Sequence, residues 1–198
     1  SMCKYENEAY KKGYKYIGGI DEAGRGPLAG PVMAAVVVFP ENVFIENLKD
    51  SKKLTSKQRD ILYEEIKSKA QAFGIGFSDE KCIDEINILN ATKKAMEQAV
   101  NSIELKPDIL LIDAVSLDNL LIPQIPITNG DNLSISIAAA SIIAKVTRDR
   151  LIVEYDKLYP QYGFAKHKGY GTKQHIEAIK KYGICPIHRL SFVKNFLD

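Results

Sequence analysis

Residues 19–27 read Gly19-Ile20-Asp21-Glu22-Ala23-Gly24-Arg25-Gly26-Pro27, and this stretch decides how the chain is interpreted. A hydrophobic strand runs into two carboxylates, and two glycines on either side of an arginine follow. Carboxylates at a strand end suit a hard divalent cation, while glycines let a phosphate or a sugar approach the main chain. The stretch therefore predicts a metal-dependent site that acts on a polyanion.

The two adjacent acids raise a question of geometry. Neighbouring side chains point to opposite faces of an ideal strand, so Asp21 and Glu22 can serve one site only if the strand ends or twists there. Gly24 permits such a change of direction. We therefore expect the strand to end close to the two acids.

The same glycines formally match a dinucleotide-binding fingerprint, because Gly24, Gly26 and Ala29 have its spacing. Prolines flank the match, and a second strand follows where the fingerprint requires a helix. A pyrophosphate would therefore lack its helix N-terminus, and we do not expect a dinucleotide site.

More acids follow strand-like runs further along the chain. The apolar run 109–112 ends in Asp113, and a strand expected at 125–127 leads into a turn that carries Asp131. One such acid is ordinarily a turn residue, but four at one sheet edge would repel without cations. No His or Cys group has ligand spacing, so we expect Mg²⁺ or Mn²⁺. Two such ions about 3.5 to 4 Å apart would activate water for phosphodiester cleavage.

Hydrophobic periodicity gives the other elements. Strands are expected at 16–20, 32–39 and 73–77, and helices at 55–70, 79–105, 134–158 and 172–182. The second helix should bury Ile83, Ile86, Leu89 and Met96. Strands that come first and then alternate with helices indicate a mixed sheet flanked by helices.

Composition sets the broad class. A chain of 198 residues with 45% hydrophobic and 26% charged residues predicts one ordinary globular domain. No apolar run approaches the roughly 18 to 20 residues of a membrane span, and the start lacks a signal-peptide block, so we expect a cytoplasmic protein. Ser1 before Met2 is interpreted as a tag remnant. Three widely spaced cysteines predict free thiols rather than a disulfide framework or a zinc site.

Charge is divided unevenly along the chain. Residues 145–194 contain 11 Lys and Arg against 4 Asp and Glu, a surplus of +7, which leaves the remainder at 16 minus 21, or −5. A basic C-terminal quarter predicts an anionic partner. Asp149 lies between Arg148 and Arg150 on a helix, where we expect an ion pair.

Several long motifs together resemble bacterial ribonuclease HII. They are residues 19–27, Asp50-Ser51-Lys52-Lys53-Leu54, Ala138-Ala139-Ala140-Ser141-Ile142-Ile143-Ala144-Lys145-Val146-Thr147-Arg148-Asp149 and His167-Lys168-Gly169-Tyr170-Gly171-Thr172. The resemblance covers residues 16–192. It implies an RNase H-like mixed five-stranded sheet flanked by helices, with a small helical C-terminal extension. On this view 1–14 are a tail, 15–160 the catalytic domain, and 161–198 a substrate-binding helical part packed on it.

The resemblance also implies an activity. Asp21, Glu22, Asp113 and Asp131 would bind two Mg²⁺ or Mn²⁺ ions. The enzyme would cleave RNA in RNA–DNA hybrids and incise 5′ of single ribonucleotides in duplex DNA, leaving 3′-hydroxyl and 5′-phosphate ends. Ribonucleotide repair and RNA primer removal would be its roles. We expect a monomer without a clamp-binding tail.

Substrate contacts follow from the same resemblance. Gly24, Arg25 and Gly26 would contact the 2′-hydroxyl, the group that separates RNA from DNA, and Tyr170 would pack at the ribose. Phosphate contacts are expected from Lys52, Lys53, Lys145, Arg148, Lys166, His167, Lys168, His188 and Arg189, although Arg148 has an ion pair as its alternative. Two rivals stay open: an RNase H-fold nuclease that cuts DNA or a four-way junction, and a catalytically silent module that binds hybrids.

Overall fold

A computed structural model describes residues 2–197. Its strands are β1 (Ile17–Ala23), β2 (Val32–Val38), β3 (Ala72–Ser78), β4 (Ile109–Asp113) and β5 (Gln124–Ile127). Its α-helices are α1 (Lys4–Lys11), α2 (Ser56–Lys69), α3 (Glu80–Asn101), α4 (Gly130–Leu133), α5 (Ile135–Leu158), α6 (Phe164–His167), α7 (Lys173–Tyr182) and α8 (Leu190–Val193). Short 3₁₀ helices cover Ser51–Lys53 and Lys194–Phe196.

The strands form one mixed sheet in the order β3-β2-β1-β4-β5. Strand β1 is antiparallel to β2 but parallel to β4, and β4 is parallel to β5. Ile20 pairs with Ile112, so the carboxyl ends of β1 and β4 lie side by side. The predicted mixed five-stranded sheet flanked by helices is confirmed, and its topology brings acids from distant parts of the sequence to one edge.

Strand β2 is buried over its whole length because helices cover both faces of the sheet. Val36 packs in the core beneath α3 with Met96, whereas Val37 faces the opposite core with Ile143 of α5. Each fully buried aliphatic side chain of this kind contributes about 1.5 to 3 kcal/mol. The continuous apolar sequence of β2 therefore reflects two cores and not one.

Helix α5 lies unusually close to the sheet. A β-carbon added at Gly19 of β1 would lie 2.2 Å from the carbonyl carbon of Ser136, and Ala138, Ala139 and Ala140 are fully buried. The small residues on both sides allow this approach. This close packing fixes the distance between β1 and α5, and thereby the position of the acidic end of β1.

One expectation for α3 is wrong. Ile83 and Met96 are buried, but Ile86 is 36% exposed and Leu89 is 42% exposed. Asn87 has φ 72° and ψ 169°, which interrupts the helix. The apolar face of the helix therefore changes direction at this kink. A single helical period drawn through it wrongly predicts that Ile86 and Leu89 are buried.

The expected N-terminal tail contains a helix that packs on the domain. In α1, Glu6 and Ala9 are buried. The Oε1 atom of Glu6 accepts hydrogen bonds from Ser134 Oγ at 2.6 Å and from the Ser136 amide at 3.1 Å. A carboxylate here satisfies a donor in the first turn of α5 and complements the positive end of its dipole. Periodicity over eight residues was too short to predict it.

The C-terminal residues form a cluster of their own. Tyr162, Phe164 and Ile179 pack with Leu28 and with Ile152 of α5. This cluster attaches residues 160–196 to the segment that follows the glycine-rich stretch. No helix within residues 2–197 is both long and apolar enough to cross a membrane.

Candidate active site

Three of the four predicted metal ligands meet at the sheet edge. Asp21, Glu22 and Asp113 each offer a carboxylate oxygen, and these atoms all lie within 4.8 Å of one another. Strand β1 runs through both acids and ends at Ala23, one residue after Glu22. The next residue, Gly24, has φ +88° and turns the chain away from the strand direction. The parallel neighbour β4 supplies Asp113 as its last residue.

Burial makes this cluster electrostatically costly. It raises the pKa of Asp21 well above its usual range, and the charges of Glu22 and Asp113 raise it further. Burial also raises the pKa of Glu22 and of Asp113, although the Gly130 amide, which donates to Asp113 Oδ1 at 2.7 Å, opposes the shift in Asp113. The acids repel one another unless a positive charge is bound between them.

The cluster fits a hard metal ion. The buried Oε2 atom of Glu22 has no hydrogen-bond partner among residues 2–197, although a buried carboxylate oxygen is normally satisfied. Oxygen donors on Asp21, Glu22 and Asp113 without nitrogen or sulfur are the set that Mg²⁺ and Mn²⁺ favour. An ion there would satisfy the unpaired oxygen and offset the repulsion.

The fourth predicted ligand lies in the same cleft but outside the cluster of three. Asp131 is in α4, which begins after the left-handed Asn129, two residues beyond the end of β5. Its Oδ2 atom lies 2.8 Å from Nζ of Lys52. This contact places a cation beside the acids and raises the pKa of Lys52. Asp131 therefore forms an ion pair with Lys52 in this structure.

The cleft that holds the acids has a volume of about 500 Å³. It is also lined by the glycine loop, which we define as residues 24–26, and by Tyr170, Lys52 and Lys145. Four polar lining residues were not predicted as site residues: Ser51, Arg59, Asn129 and Ser141. Ser51 and Ser141 lie inside motifs of the resemblance, and that position was the available signal for them. Arg59 and Asn129 lie in none of those motifs.

The glycine loop faces Tyr170 across the cleft. A β-carbon at Gly26 would lie 3.7 Å from Cε1 of Tyr170 with no other atom within 4 Å. A β-carbon at Gly24 would instead lie 2.1 Å from Nε of Arg148. The first glycine therefore keeps the backbone close to a buried guanidinium, while the second keeps the space beside the tyrosine open. The Tyr170 side chain is exposed, as a ring that contacts a ligand must be.

Two of the predicted phosphate contacts are corrected by the structure. Arg148 and Arg189 are 1% and 0% exposed, and neither forms an ion pair within residues 2–197. Arg148 donates to the carbonyls of Pro31, Ala29 and Lys168 at 2.8 to 2.9 Å. Arg189 donates to the carbonyls of Gly24, Arg25 and Gly30 at 2.6 to 3.0 Å. A guanidinium that is buried and makes three hydrogen bonds to main-chain carbonyls is not available to a phosphate on the surface.

Burial lowers the pKa of Arg148 to about 10 and that of Arg189 to about 9, so both are protonated at neutral pH. The expected ion pair of Asp149 also has a different partner. Its Oδ1 atom lies 3.0 Å from Nζ of Lys145, one turn earlier, and Arg150 instead pairs with Asp60. Residues four apart share a helix face, whereas adjacent residues do not.

The chain's three histidines form a buried cluster behind Tyr170. His167 and His175 stack with ring centroids 4.3 Å apart, and His175 Nε2 lies 2.9 Å from His188 Nε2. His188 Nδ1 accepts from the Cys185 amide, so its Nε2–H donates to His175. His175 Nδ1–H is then free to donate to the Tyr170 carbonyl at 2.9 Å. Burial of His167 and His188 rules out the direct phosphate contacts expected of them.

The remaining predicted basic contacts are on the surface. Lys53 and Lys166 are exposed and do not line the cleft. Lys168 has a left-handed backbone, with φ 55°, and its ammonium donates to the Ala165 carbonyl. Arg25 extends into solvent with Nη1 3.8 Å from Glu22 Oε1. Lys52 and Lys145 are thus the predicted lysines that border the acids.

Comparison with known proteins gives a consistent result. The family model described as Ribonuclease HII matches residues 18–195. A ribonuclease HII from Acetivibrio thermocellus is 67% identical over 196 residues, which is 99% of this chain and 77% of the relative.

Solved structures agree with the sequence match. The ribonuclease H2 of Pyrococcus horikoshii OT3 superposes with a TM-score of 0.75 and 30% identity, covering 91% of this chain and 96% of that one. The RNase HII of Archaeoglobus fulgidus, solved in complex with PCNA, has a TM-score of 0.75 and 27% identity, covering 92% and 97%.

Sequence match, shared fold and clustered acids agree with one another. The chain therefore belongs to the ribonuclease HII family, whose members are metal-dependent ribonuclease H endonucleases that act on RNA–DNA hybrids.

Proposed function

We propose that this enzyme cleaves RNA in RNA–DNA hybrids and also incises 5′ of single ribonucleotides embedded in duplex DNA, leaving 3′-hydroxyl and 5′-phosphate ends. One observation carries the proposal. The acid cluster of Asp21, Glu22 and Asp113 shares a single cleft with the glycine loop and an exposed Tyr170. Phosphodiester chemistry and a contact surface for one sugar are therefore adjacent.

Asp21, Glu22, Asp113 and Asp131 would hold two Mg²⁺ or Mn²⁺ ions. When bound, these ions supply Lewis-acid stabilisation of the phosphate charge and lower the pKa of water. Lys52 would release Asp131 and neutralise a substrate phosphate as the duplex enters, since its side chain is largely exposed. The four carboxylates would fix the position of the metal ions, and the phosphate that lies beside those ions would be the one that is cut.

The glycine loop and Tyr170 select the sugar. A main-chain amide can donate to a 2′-hydroxyl, and deoxyribose offers no such partner. The Tyr170 ring supplies a flat apolar surface for the ribose face. Because Gly26 adds no side chain to the gap in front of this ring, the backbone itself can approach the sugar. Only a nucleotide with a 2′-hydroxyl would be aligned with the acids.

These activities suit ribonucleotide repair and RNA primer removal by a cytoplasmic monomer.

Cleavage mapping on three matched duplexes tests the function. The substrates are all-DNA, the same duplex with one ribonucleotide, and an RNA–DNA hybrid, each with Mg²⁺ or Mn²⁺. We expect cuts in the hybrid and a single cut 5′ of the ribonucleotide, with no cut in all-DNA. Cleavage of the all-DNA duplex would support a nuclease without sugar selection, and binding without any product would support a silent binding module.

Variants identify the groups responsible. Asp113→Asn should abolish cleavage, whereas Asp118→Asn, which changes an exposed acid in the following loop, should cut like the parent. Asparagine keeps the oxygen that accepts from the Gly130 amide, so local structure is retained. Undiminished cutting by Asp113→Asn would remove it from the metal site.

A further inference from the structure

We propose that Arg189 is a positioning residue for sugar recognition: it turns the Arg25 and Gly26 amides of the glycine loop toward the cleft. This inference rests on the proposed function, because it assigns a cause to the sugar selection proposed there. It also gives a role to Arg189, which was expected to contact a substrate phosphate but is buried in the structure.

The contacts of Arg189 are specific. Nη2 donates to the Gly24 carbonyl at 2.6 Å, Nη1 to the Arg25 carbonyl at 3.0 Å and Nε to the Gly30 carbonyl at 2.8 Å. Two consecutive carbonyls of the loop therefore point inward, to one rigid guanidinium. A lysine could not bind both, because its ammonium is a single point on a flexible chain.

The planarity of the peptide unit converts this contact into a direction for the amides. The Gly24 carbonyl and the Arg25 amide belong to one trans peptide, so they point in opposite directions. The Arg25 carbonyl and the Gly26 amide are related in the same way. Since both carbonyls point toward the buried Arg189, both N–H groups point away from it, and the cleft lies on that side.

Those two amides are free to receive a ligand. Within residues 2–197 neither the Arg25 nor the Gly26 N–H has a hydrogen-bond acceptor. Backbone N–H groups are normally paired, so two consecutive unpaired amides at a cleft form a donor pair that suits a hydroxyl or phosphate oxygen. Without the guanidinium, each peptide plane could rotate and lose this alignment.

Arg189 is also held firmly in place. It is fully buried, and its amide donates to the Leu28 carbonyl at 2.9 Å. The neighbouring His188 is fixed by the Cys185 amide and by His175. Burying an unpaired cation is expensive, and three carbonyl dipoles compensate only in this geometry. The same residues that anchor the C-terminal cluster therefore set the orientation of the loop.

The test measures sugar preference apart from chemistry. In a cleavage-inactive Asp113→Asn parent, the affinity for a duplex with one ribonucleotide is divided by the affinity for the matched all-DNA duplex, with Mg²⁺ present. Arg189→Lys in that parent should lower this ratio about tenfold, the worth of one to two hydrogen bonds, and leave all-DNA affinity unchanged. An unchanged ratio in folded protein would overturn the inference.

A matched control separates positioning from general loosening. Tyr162→Phe removes the hydrogen bond from the Tyr162 hydroxyl to the Gly183 carbonyl in the same C-terminal cluster, without touching the glycine loop. Tyr162→Phe should keep the parent's ratio of ribonucleotide-duplex to all-DNA affinity, even if its Tm is lower. If Tyr162→Phe lowers the ratio as much as Arg189→Lys does, loosening of the cluster is the cause and the inference fails.

Two further outcomes are distinguishable. If the Asp113→Asn parent itself shows no preference for the ribonucleotide, the proposed sugar selection fails before Arg189 is tested. If Arg189→Lys does not fold, Arg189→Gln supplies a planar donor for one carbonyl, and amide hydrogen exchange supplies a direct readout. The ribonucleotide duplex should protect the Arg25 and Gly26 amides in the parent and protect them less in Arg189→Gln; equal protection would overturn the inference.

Discussion

Nζ of Lys52 lies 2.8 Å from Oδ2 of Asp131, so an ammonium group occupies one corner of the acid-lined cleft. The lysine comes from the 3₁₀ turn after β2, whereas the acid comes from α4 after β5. A cation that is delivered by a separate element competes with metal ions for the same carboxylates.

Lys52→Ala should therefore tighten metal binding in the absence of nucleic acid. Opposite charges about 4 Å apart in water interact by about 1 kcal/mol, so removal of the ammonium should raise Mn²⁺ affinity roughly fivefold. Isothermal titration of Mn²⁺ measures this. Lys53→Ala is the control, because that side chain is exposed and does not line the cleft. Equal affinities for the two variants would contradict the prediction.

Asp21→Asn should stabilise the metal-free fold while it abolishes activity. Burial raises the pKa of Asp21 well above the value near 3.9 in an unfolded chain, so ionisation costs stability as the pH rises through the folded pKa. At neutral pH we expect a gain of about 1 kcal/mol, which is roughly 2 to 4 °C in Tm for a domain of this size. Thermal melts with a chelator measure it.

The control for this prediction is Asp118→Asn, which removes one exposed negative charge elsewhere. Its Tm should stay within about a degree of the parent, since exposed substitutions have small effects. Added Mn²⁺ should stabilise the parent more than Asp21→Asn and so reduce or reverse their difference. A lower Tm for Asp21→Asn without metal would show that charge repulsion does not dominate this site.

Alanine at the two loop glycines should have different effects. Gly26→Ala adds a methyl whose nearest neighbour is Cε1 of Tyr170 at 3.7 Å, so the fold should be unchanged. The methyl fills the proposed sugar gap, and cleavage at a single ribonucleotide should fall at least tenfold. Gly24→Ala combines φ +88° with a 2.1 Å clash against Arg148, and should destabilise by about 1 to 3 kcal/mol. Melting and cleavage assays together distinguish these outcomes.

The histidine cluster predicts loss of stability in mild acid. Burial lowers the pKa of His175 and of His188 to about 4, against about 6.5 in an unfolded chain. The stabilisation is complete above pH 6.5 and is lost as the pH falls toward 4, because the unfolded chain binds more protons in that window. Denaturant unfolding at several pH values should show this decline.

His175→Gln should reduce the steepness of that decline by about 1.4 kcal/mol per pH unit, the contribution of one proton. Tyr162→Phe weakens the same cluster without removing a group that titrates near pH 5, so its curve should run parallel to that of the parent. Parallel curves for both variants would show that His175 does not titrate on unfolding in this range.

Glu6→Ala should destabilise the protein although the residue is far from the cleft in sequence. The change leaves the Ser134 hydroxyl and the Ser136 amide without their buried acceptor. We expect a loss of about 1 to 3 kcal/mol in the free energy of unfolding. Glu8→Ala, on the exposed face of α1, is the matched control and should have little effect.

The parts of the fold that the sequence predicted are those with strong local signals. The Thr55 capping box, the apolar run before Asp113 and the alanine-rich start of α5 each have a periodic or capping pattern. The kink at Asn87 was missed because no glycine or proline marks it. The acid cluster followed from strand ends, since parallel strands bring their carboxyl ends to one edge.

The roles of the arginines were not predictable in the same way. Charge alone places Arg148 and Arg189 on the surface with the lysines around them. Their burial depends on carbonyls from residues 24–31, more than a hundred positions earlier in the chain. A pattern of residue types carries no information about such main-chain acceptors, so a basic residue that contacts substrate and one that supports the backbone look alike in sequence.

The parallel pairing of β1 with β4 also has a consequence for folding. Parallel neighbours cannot form a hairpin, and β2, β3 and α3 lie between β1 and β4 in the sequence, so the pairing of Ile20 with Ile112 joins distant parts of the chain. Contacts of such long sequence separation form slowly and tend to come late in folding. Asp21 and Asp113 therefore come together only where β1 and β4 have paired, and a chain without this pairing lacks the acid cluster. Metal-dependent cleavage is therefore evidence that β1 and β4 have paired.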